Sequence, residues 1–272
     1  MPELPEVETT KNGIVHNLKS KTVKQVIIRQ PKLRWPVPEH LPDTLAQQTI
    51  QTIQRRGKYI LLTFPNGHLI SHLGMSGSFR VLPTQTPIKK HDHIDIIFQD
   101  DLCLRYHDPR RFGCLLWTDQ AVEQHKLISV LGVEPLEQDL TGEYLYKKSR
   151  PKRVAIKNFI MDSHIVVGVG NIYANEALFL ANIHPSTPAQ KVGLAQYEKL
   201  VAHIKQVLAT AIQQGGTTLR DFTNADGQAG YFQQTLHVYG KAGEQCSCGR
   251  ATIEKIVIGQ RASYFCPACQ PI

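Results

Sequence analysis

Proline at position 2, with glutamates at 3 and 6, can do covalent chemistry if the initiator methionine is removed. A small second residue permits that removal, and Pro2 would then carry a free secondary amine. Such an amine titrates near other α-amino groups, at roughly 8, so a usable fraction is a neutral nucleophile at pH 7. It can form an imine with a sugar aldehyde carbon, and Glu3 or Glu6 beside it can move protons. The same residues also read as an ordinary helix start. Pro5 would stand in the first turn, and Glu3 and Glu6 would complement the positive end of the helix dipole.

A second constellation is made of sulfur. Cys246, Cys248, Cys266 and Cys269 cluster late in the chain, whereas Cys103 and Cys114 stand alone in apolar stretches and read as core thiols. In a reducing compartment such a cluster points to metal rather than disulfides, and four thiolates select zinc over harder ions. Two disulfides or an iron–sulfur cluster are the alternatives. A third segment, Asp162 to Tyr173, contains Gly168-Val169-Gly170-Asn171. Glycines before a helix N-terminus let exposed N–H groups approach a phosphate, with Asn171 as a cap, although a plain helix connection fits equally well.

The elements that must position these groups fall into three stretches. From Val23 to Trp117 short apolar or alternating runs predict strands: Val23–Ile28, Tyr59–Phe64, Leu69–Leu73, Ile94–Phe98, Leu102–Tyr106 and Leu115–Trp117. They suggest a mainly antiparallel sandwich, preceded by a helix over Pro5–Lys19 with Val7, Ile14, Val15 and Leu18 on one face. From Gly142 to Gly215 the period is helical, with helices expected over Gly142–Lys148, Val154–Met161, Ile172–Ala181 and Leu194–Gln213. A Gly/Asn/Asp-rich loop and the cysteine module follow. The expected fold is α+β and multidomain: a β-sandwich over 1–132, a helical domain over 133–235 and a zinc finger over 236–272.

The chain has 272 residues, with Lys and Arg at 31 against 23 acidic residues, a formal charge of +8. A basic balance suits a polyanion, usually nucleic acid. No apolar run approaches the roughly 18 residues of a membrane span. Nor does the start carry a signal-peptide apolar region, so a cytoplasmic protein is expected.

Six motifs in order resemble the bacterial formamidopyrimidine-DNA glycosylase family. They are Pro2-Glu3-Leu4-Pro5-Glu6, Arg55-Arg56-Gly57-Lys58, His72-Leu73-Gly74-Met75-Ser76-Gly77, Asp108-Pro109-Arg110-Arg111-Phe112-Gly113, Gly168-Val169-Gly170-Asn171 and the run from Gly215 to Asp221. The related endonuclease VIII branch usually has glycine where Leu4 stands, which favours the purine-lesion branch. The resemblance implies a monomeric, bifunctional repair enzyme acting on double-stranded DNA at the nucleoid. It would excise oxidised purines and cleave abasic strands by β,δ-elimination.

Pro2 would attack the sugar C1′, Glu3 would protonate the ring oxygen, and Glu6 would support the N-terminus. Lys58 and Arg261 join the catalytic set through phosphates or sugar flanking the lesion. His72, Met75, His91, Arg110, Phe112, Lys157 and Asn171 map to DNA contacts, with Met75, Arg110 and Phe112 filling the void left by a flipped nucleotide. Without the resemblance Met75 and Phe112 would be read as core. The loop from Thr217 to Tyr231, with Gly227 and Gly230, would cover the flipped base. Cys246, Cys248, Cys266 and Cys269 would hold one structural Zn²⁺. One departure stands out: Cys246 and Cys248 are separated by one residue where the family usually has two. The first-to-third cysteine spacing is unchanged.

Overall fold

A computed structural model describes residues 2–215 and 236–272. It comprises two compact units, the first running to Ser129 and the second beginning at Val130 and including the cysteine module. The loop expected to cover a flipped base lies outside the described residues.

The first unit starts with helix α1, Leu4–Leu18, which buries Leu4, Val7, Ile14 and Leu18. Its strands are β1 (Val23–Ile28), β2 (Thr52–Arg56), β3 (Tyr59–Phe64), β4 (Gly67–His72), β5 (Ser78–Pro83), β6 (Asp92–Phe98), β7 (Leu102–His107) and β8 (Cys114–Thr118). A short helix α2, Leu41–Leu45, lies between β1 and β2. The strands form two antiparallel sheets, ordered β1-β6-β7-β5 and β2-β3-β4-β8. Val7, Ile14, Ile60, Leu62, Phe79, Ile94, Phe98 and Leu115 share one apolar core. Cys103 and Cys114 are buried within this unit, and burial pushes both thiols up to about 12.

Strand register decides what meets at one end of these sheets. Arg56 pairs with Tyr59, leaving Gly57 and Lys58 as the turn, and Tyr59 pairs with His72, which pairs with Cys114. In the other sheet His107 faces both Ser78 and Asp92. Each sheet therefore brings the termini of its strands together with the connections 73–77 and 108–113.

The second unit holds α3 (Gly142–Ser149), α4 (Ile156–Ile160), α5 (Asn171–Ala181), α6 (Leu194–Gln213) and a hairpin of β9 (Glu254–Ile258) and β10 (Arg261–Phe265). The Thr141 hydroxyl caps α3 by accepting the Tyr144 N–H. Helix α4 is shorter than the sequence pattern suggests. Ala155 is extended and bridges Pro188, and Ile156 donates to Thr187 O at 2.7 Å, so the chain is pinned outside the helix until Ile156. Asn171 is the first residue of α5 rather than its cap, a position taken by Gly170. Among the described residues no helix is long and apolar enough to cross a membrane.

Candidate active site and metal centre

Pro2 is buried, and Glu3 and Glu6 are 3% and 1% exposed at the start of α1. Glu6 Oε2 accepts the Glu3 backbone N–H at 2.8 Å as part of a reciprocal capping box. The helix-start and chemical readings of these residues are thus compatible: the cap fixes the segment that carries Pro2. One turn on, Glu8 accepts from Arg55 Nε at 2.7 Å, and Arg55 Nη1 donates to Gly57 O at 3.0 Å. Burial pushes the Glu8 carboxyl up, but Lys11 and Arg55 outweigh it and hold the group below its usual range. Arg55 therefore locks the Gly57–Lys58 turn to the N-terminal helix.

His72 ends β4. Its Nδ1 accepts the Gly74 backbone N–H at 2.9 Å. A backbone N–H can only donate, so Nδ1 is unprotonated and the ring proton sits on Nε2. Burial, then the cations Lys58 and Arg34, push this imidazole down to about 4. At neutral pH His72 is an uncharged donor.

The connections 73–77 and 108–113 are built against each other. Gly74 has φ +64, and a Cβ there would collide with the Phe112 and Gly113 backbone; one at Gly113 would meet the Tyr106 hydroxyl and His72 carbonyl. Asp108, fully buried, accepts from Ser76 Oγ at 2.7 Å, Tyr106 OH at 3.1 Å and Gly113 N at 2.9 Å. Ser76 Oγ in turn accepts the Arg110 N–H at 3.1 Å. The Asp108 N–H donates to His91 O at 3.1 Å, tying in a further segment. On this rigid frame Met75 and Phe112 are 38% and 45% exposed, and the Arg110 guanidinium lies 5.0 Å from the Phe112 ring centroid. Exposed apolar side chains on such a frame are available to an intermolecular contact rather than used in the core.

In the second unit the hairpin is bound to α4 and α5 through polar side chains. Lys157, expected at a phosphate, is fully buried, and its Nζ donates to Ala262 O at 2.9 Å and Ser263 Oγ at 2.6 Å. Asn171 Nδ2 donates to the same carbonyl at 3.1 Å. Asn175 Oδ1 accepts the Tyr264 N–H at 2.7 Å, and the Glu176 carboxylate accepts three successive N–H groups, of His237, Val238 and Tyr239, at 2.7–2.9 Å. Gly259 and Gln260 turn the hairpin with φ +55 and +63, leaving Arg261 exposed at the start of β10.

The sulfurs of Cys246, Cys248, Cys266 and Cys269 all lie within 4.8 Å of one another, with Cys248 and Cys266 at 3.8 Å. Tetrahedral zinc with Zn–S of about 2.3 Å needs sulfurs about 3.8 Å apart, so the four thiols fit that ion. The Arg250 N–H donates to Cys248 Sγ at 3.4 Å and pulls this thiol down to about 6, whereas desolvation raises Cys246 and Cys269. Four thiols this close cannot all ionise without a cation among them. None is in a disulfide.

Three family models match in sequence. Residues 1–115 match the formamidopyrimidine-DNA glycosylase N-terminal domain, 131–223 its H2TH domain, and 247–272 a zinc finger found in FPG and IleRS. The formamidopyrimidine-DNA glycosylase of Methylococcus capsulatus is 53% identical over 270 residues, covering 99% of this chain and 100% of that one. That of Magnetococcus marinus is 54% identical over 274 residues, covering 99% of each. The chain belongs to the formamidopyrimidine-DNA glycosylase family. Among solved family structures, Lactococcus lactis Fpg in complex with abasic-site DNA superposes with a TM-score of 0.91 at 35% identity, over 99% of this chain and 100% of that one. The wild-type enzyme of that organism with DNA containing N7-benzyl-Fapy-dG also gives 0.91, at 34% identity over both whole chains.

One feature of this family member was not legible in the sequence. Asp108 lies inside a recognised motif, yet its function as a junction depends on Ser76, Tyr106 and Gly113, which only the fold gathers. Cys246, expected from the sequence as a ligand, lies just before the finger match, which begins at residue 247, and its sulfur sits with the other three despite the shortened first knuckle.

Proposed function

We propose that this chain is a bifunctional DNA glycosylase and abasic-site lyase that extrudes oxidised purines, 8-oxoguanine and formamidopyrimidines, from duplex DNA. The observation that carries this reading is the arrangement in the first unit. A buried Pro2-Glu3 pair is fixed by Arg55 to the Lys58 turn, and the same unit presents exposed Met75, Arg110 and Phe112 on a hydrogen-bonded frame. The DNA complexes of the Lactococcus lactis relative support the choice of partner.

In the proposed reaction the Pro2 nitrogen lone pair adds to C1′ of the extruded nucleotide. The C1′–N9 bond breaks, its electron pair leaving with the base, which takes up the proton that the Pro2 nitrogen sheds. Glu3 gives a proton to O4′ as the sugar ring opens, and the iminium forms between Pro2 and C1′. Glu3, now ionised, takes up a C2′ proton as the 3′ phosphate leaves, a C4′ proton is then lost to solvent as the 5′ phosphate leaves, and water hydrolyses the imine to free Pro2. Lys58 and neutral His72 hold phosphates beside the reacting sugar, with His91 and Arg261 gripping the flanking backbone. Asn171 and Lys157 keep the Arg261 hairpin in place. Met75 and Phe112 occupy the vacated stack while Arg110 faces the orphaned base. Zinc, where bound, cross-links the hairpin, and no chemical step passes through it.

Incision of a duplex with a single 8-oxoguanine opposite cytosine tests this reading. Wild-type protein should excise the base, and Glu3→Gln should bind the duplex yet lose excision. Full excision by Glu3→Gln would remove Glu3 from its role. Duplex binding without excision by the processed wild type would make the chain a DNA-binding protein instead.

A further inference from the structure

Beside the Phe112 loop lies an open cleft of about 650 Å³ lined by Lys32, Leu33, Arg34, Arg110, Arg111 and Phe112. Four of the six lining residues are cations, and none is acidic. Its two walls are tied together by the Arg34 N–H, which donates to Gly113 O at 3.2 Å, and the Arg111 wall is braced internally by the Arg111 N–H donating to Asp108 O at 3.2 Å. Arg111 is held at φ +56, a left-handed conformation that a non-glycine residue adopts at a cost. The 31–37 turn is fixed in turn by Lys32 N–H to Gln30 Oε1 at 2.9 Å and Val37 N–H to Pro31 O at 2.9 Å. Arg34 is steadied over the Trp35 ring at 4.9 Å. Lys32, Arg34 and Arg111 are exposed, so their charges face outward from a prepared surface rather than pairing inside it.

Such a cleft, cationic with Leu33 and Phe112 also in its lining, fits a phosphodiester bearing a nucleoside. We infer that it receives the backbone of the strand opposite the extruded nucleotide, with Lys32 and Arg34 as phosphate contacts. This inference rests on the function proposed above. There, Arg110 and Phe112 enter the helix toward the orphaned base, and that base belongs to the partner strand. Arg110, Arg111 and Phe112 also form one wall of the cleft, so a backbone continuing from the orphaned base runs along it. Lysine and arginine in this position act through charge and should read phosphates, not sequence.

The lesion-strand backbone offers the same chemistry, and neutral linkages separate the two. Duplexes carrying one methylphosphonate at successive positions, on either strand, would be bound by wild type, Lys32→Ala and Arg34→Ala. Wild type should lose several-fold in affinity when a partner-strand phosphate next to the orphaned base is neutralised. Arg34→Ala should bind the unmodified duplex about tenfold less tightly and be indifferent to that linkage, while remaining sensitive to lesion-strand linkages. Each variant should flatten the salt dependence by about one unit of slope. Thermal unfolding matching that of wild type shows that the variants are folded. Indifference appearing at a lesion-strand position, or sensitivity unchanged in both variants, would overturn the assignment. Failure of wild type to incise would instead overturn the function on which it rests.

Discussion

Asp108 accepts the Ser76 hydroxyl at 2.7 Å, and through this bond the loop carrying Met75 is joined to the loop carrying Arg110 and Phe112. Replacing Asp108 by Leu would leave Ser76 Oγ, Tyr106 OH and Gly113 N–H without their acceptor. Each stranded buried donor costs about 1–3 kcal/mol, so Asp108→Leu should lower stability by several kcal/mol in urea unfolding. Asp108→Asn keeps an acceptor oxygen and should retain most excision activity. Equal loss in the two variants would show that hydrogen-bond acceptance is not what the loops require.

His72 predicts a pH dependence of stability. Its folded value of about 4 lies below the ordinary 6.5, so the unfolded chain takes up a proton that the folded chain refuses. Its contribution is complete above about pH 6.5 and is lost as pH falls toward 4, by at most about 3 kcal/mol. His72→Gln keeps an acceptor for Gly74 and should flatten this part of the profile. As an uncharged donor, His72 should also leave the salt slope of DNA binding unchanged when replaced. A drop of a full unit of slope would mean that the ring binds as a cation.

Lys157 and Arg261 should separate in salt titrations of DNA binding. Arg261→Ala should flatten the slope by about one. Lys157→Met should weaken binding by loosening the hairpin, with the slope little changed, because its ammonium is spent on Ala262 O and Ser263 Oγ. A slope change equal to that of Arg261→Ala would place the Lys157 charge on DNA.

The shortened first knuckle should make zinc easier to remove. Cys248 has the Arg250 N–H as a donor, and such outer bonds tune metal affinity. We expect about one zinc per chain, lost to chelator faster than from a relative with two residues between its first cysteines. Loss should abolish lesion binding while the first unit stays folded. Full activity with less than about half a zinc per chain would contradict a structural site.

The sequence-based strands that matched best were β1 and β3, whose apolar runs face a core; α6, with its long periodic stripe, was equally plain. The strands that escaped, β2 and β5, are both sheet edges. In β2 only Ile53 is buried, so alternation is too weak to register. Strand β6 begins at Asp92, two residues before its apolar run, because Arg80 pairs with, and His107 hydrogen-bonds, a carboxylate that would otherwise be too costly to bury. Chemistry was legible where residues act together locally, as at the cysteines. It was hidden where distant residues share one partner, as at Asp108 or at Lys157 under β10.

Borohydride trapping on lesion DNA tests the central claim most directly, because it captures an imine only where an amine has attacked C1′. With an 8-oxoguanine·cytosine duplex and protein whose Met1 is shown by mass spectrometry to be removed, one adduct should form and map to Pro2. Pro2→Gly should weaken it severely, and retained Met1 should abolish it with the fold intact. An adduct on Lys58 or another lysine, or none from correctly processed protein that still binds the duplex, would contradict the assignment of Pro2 as nucleophile.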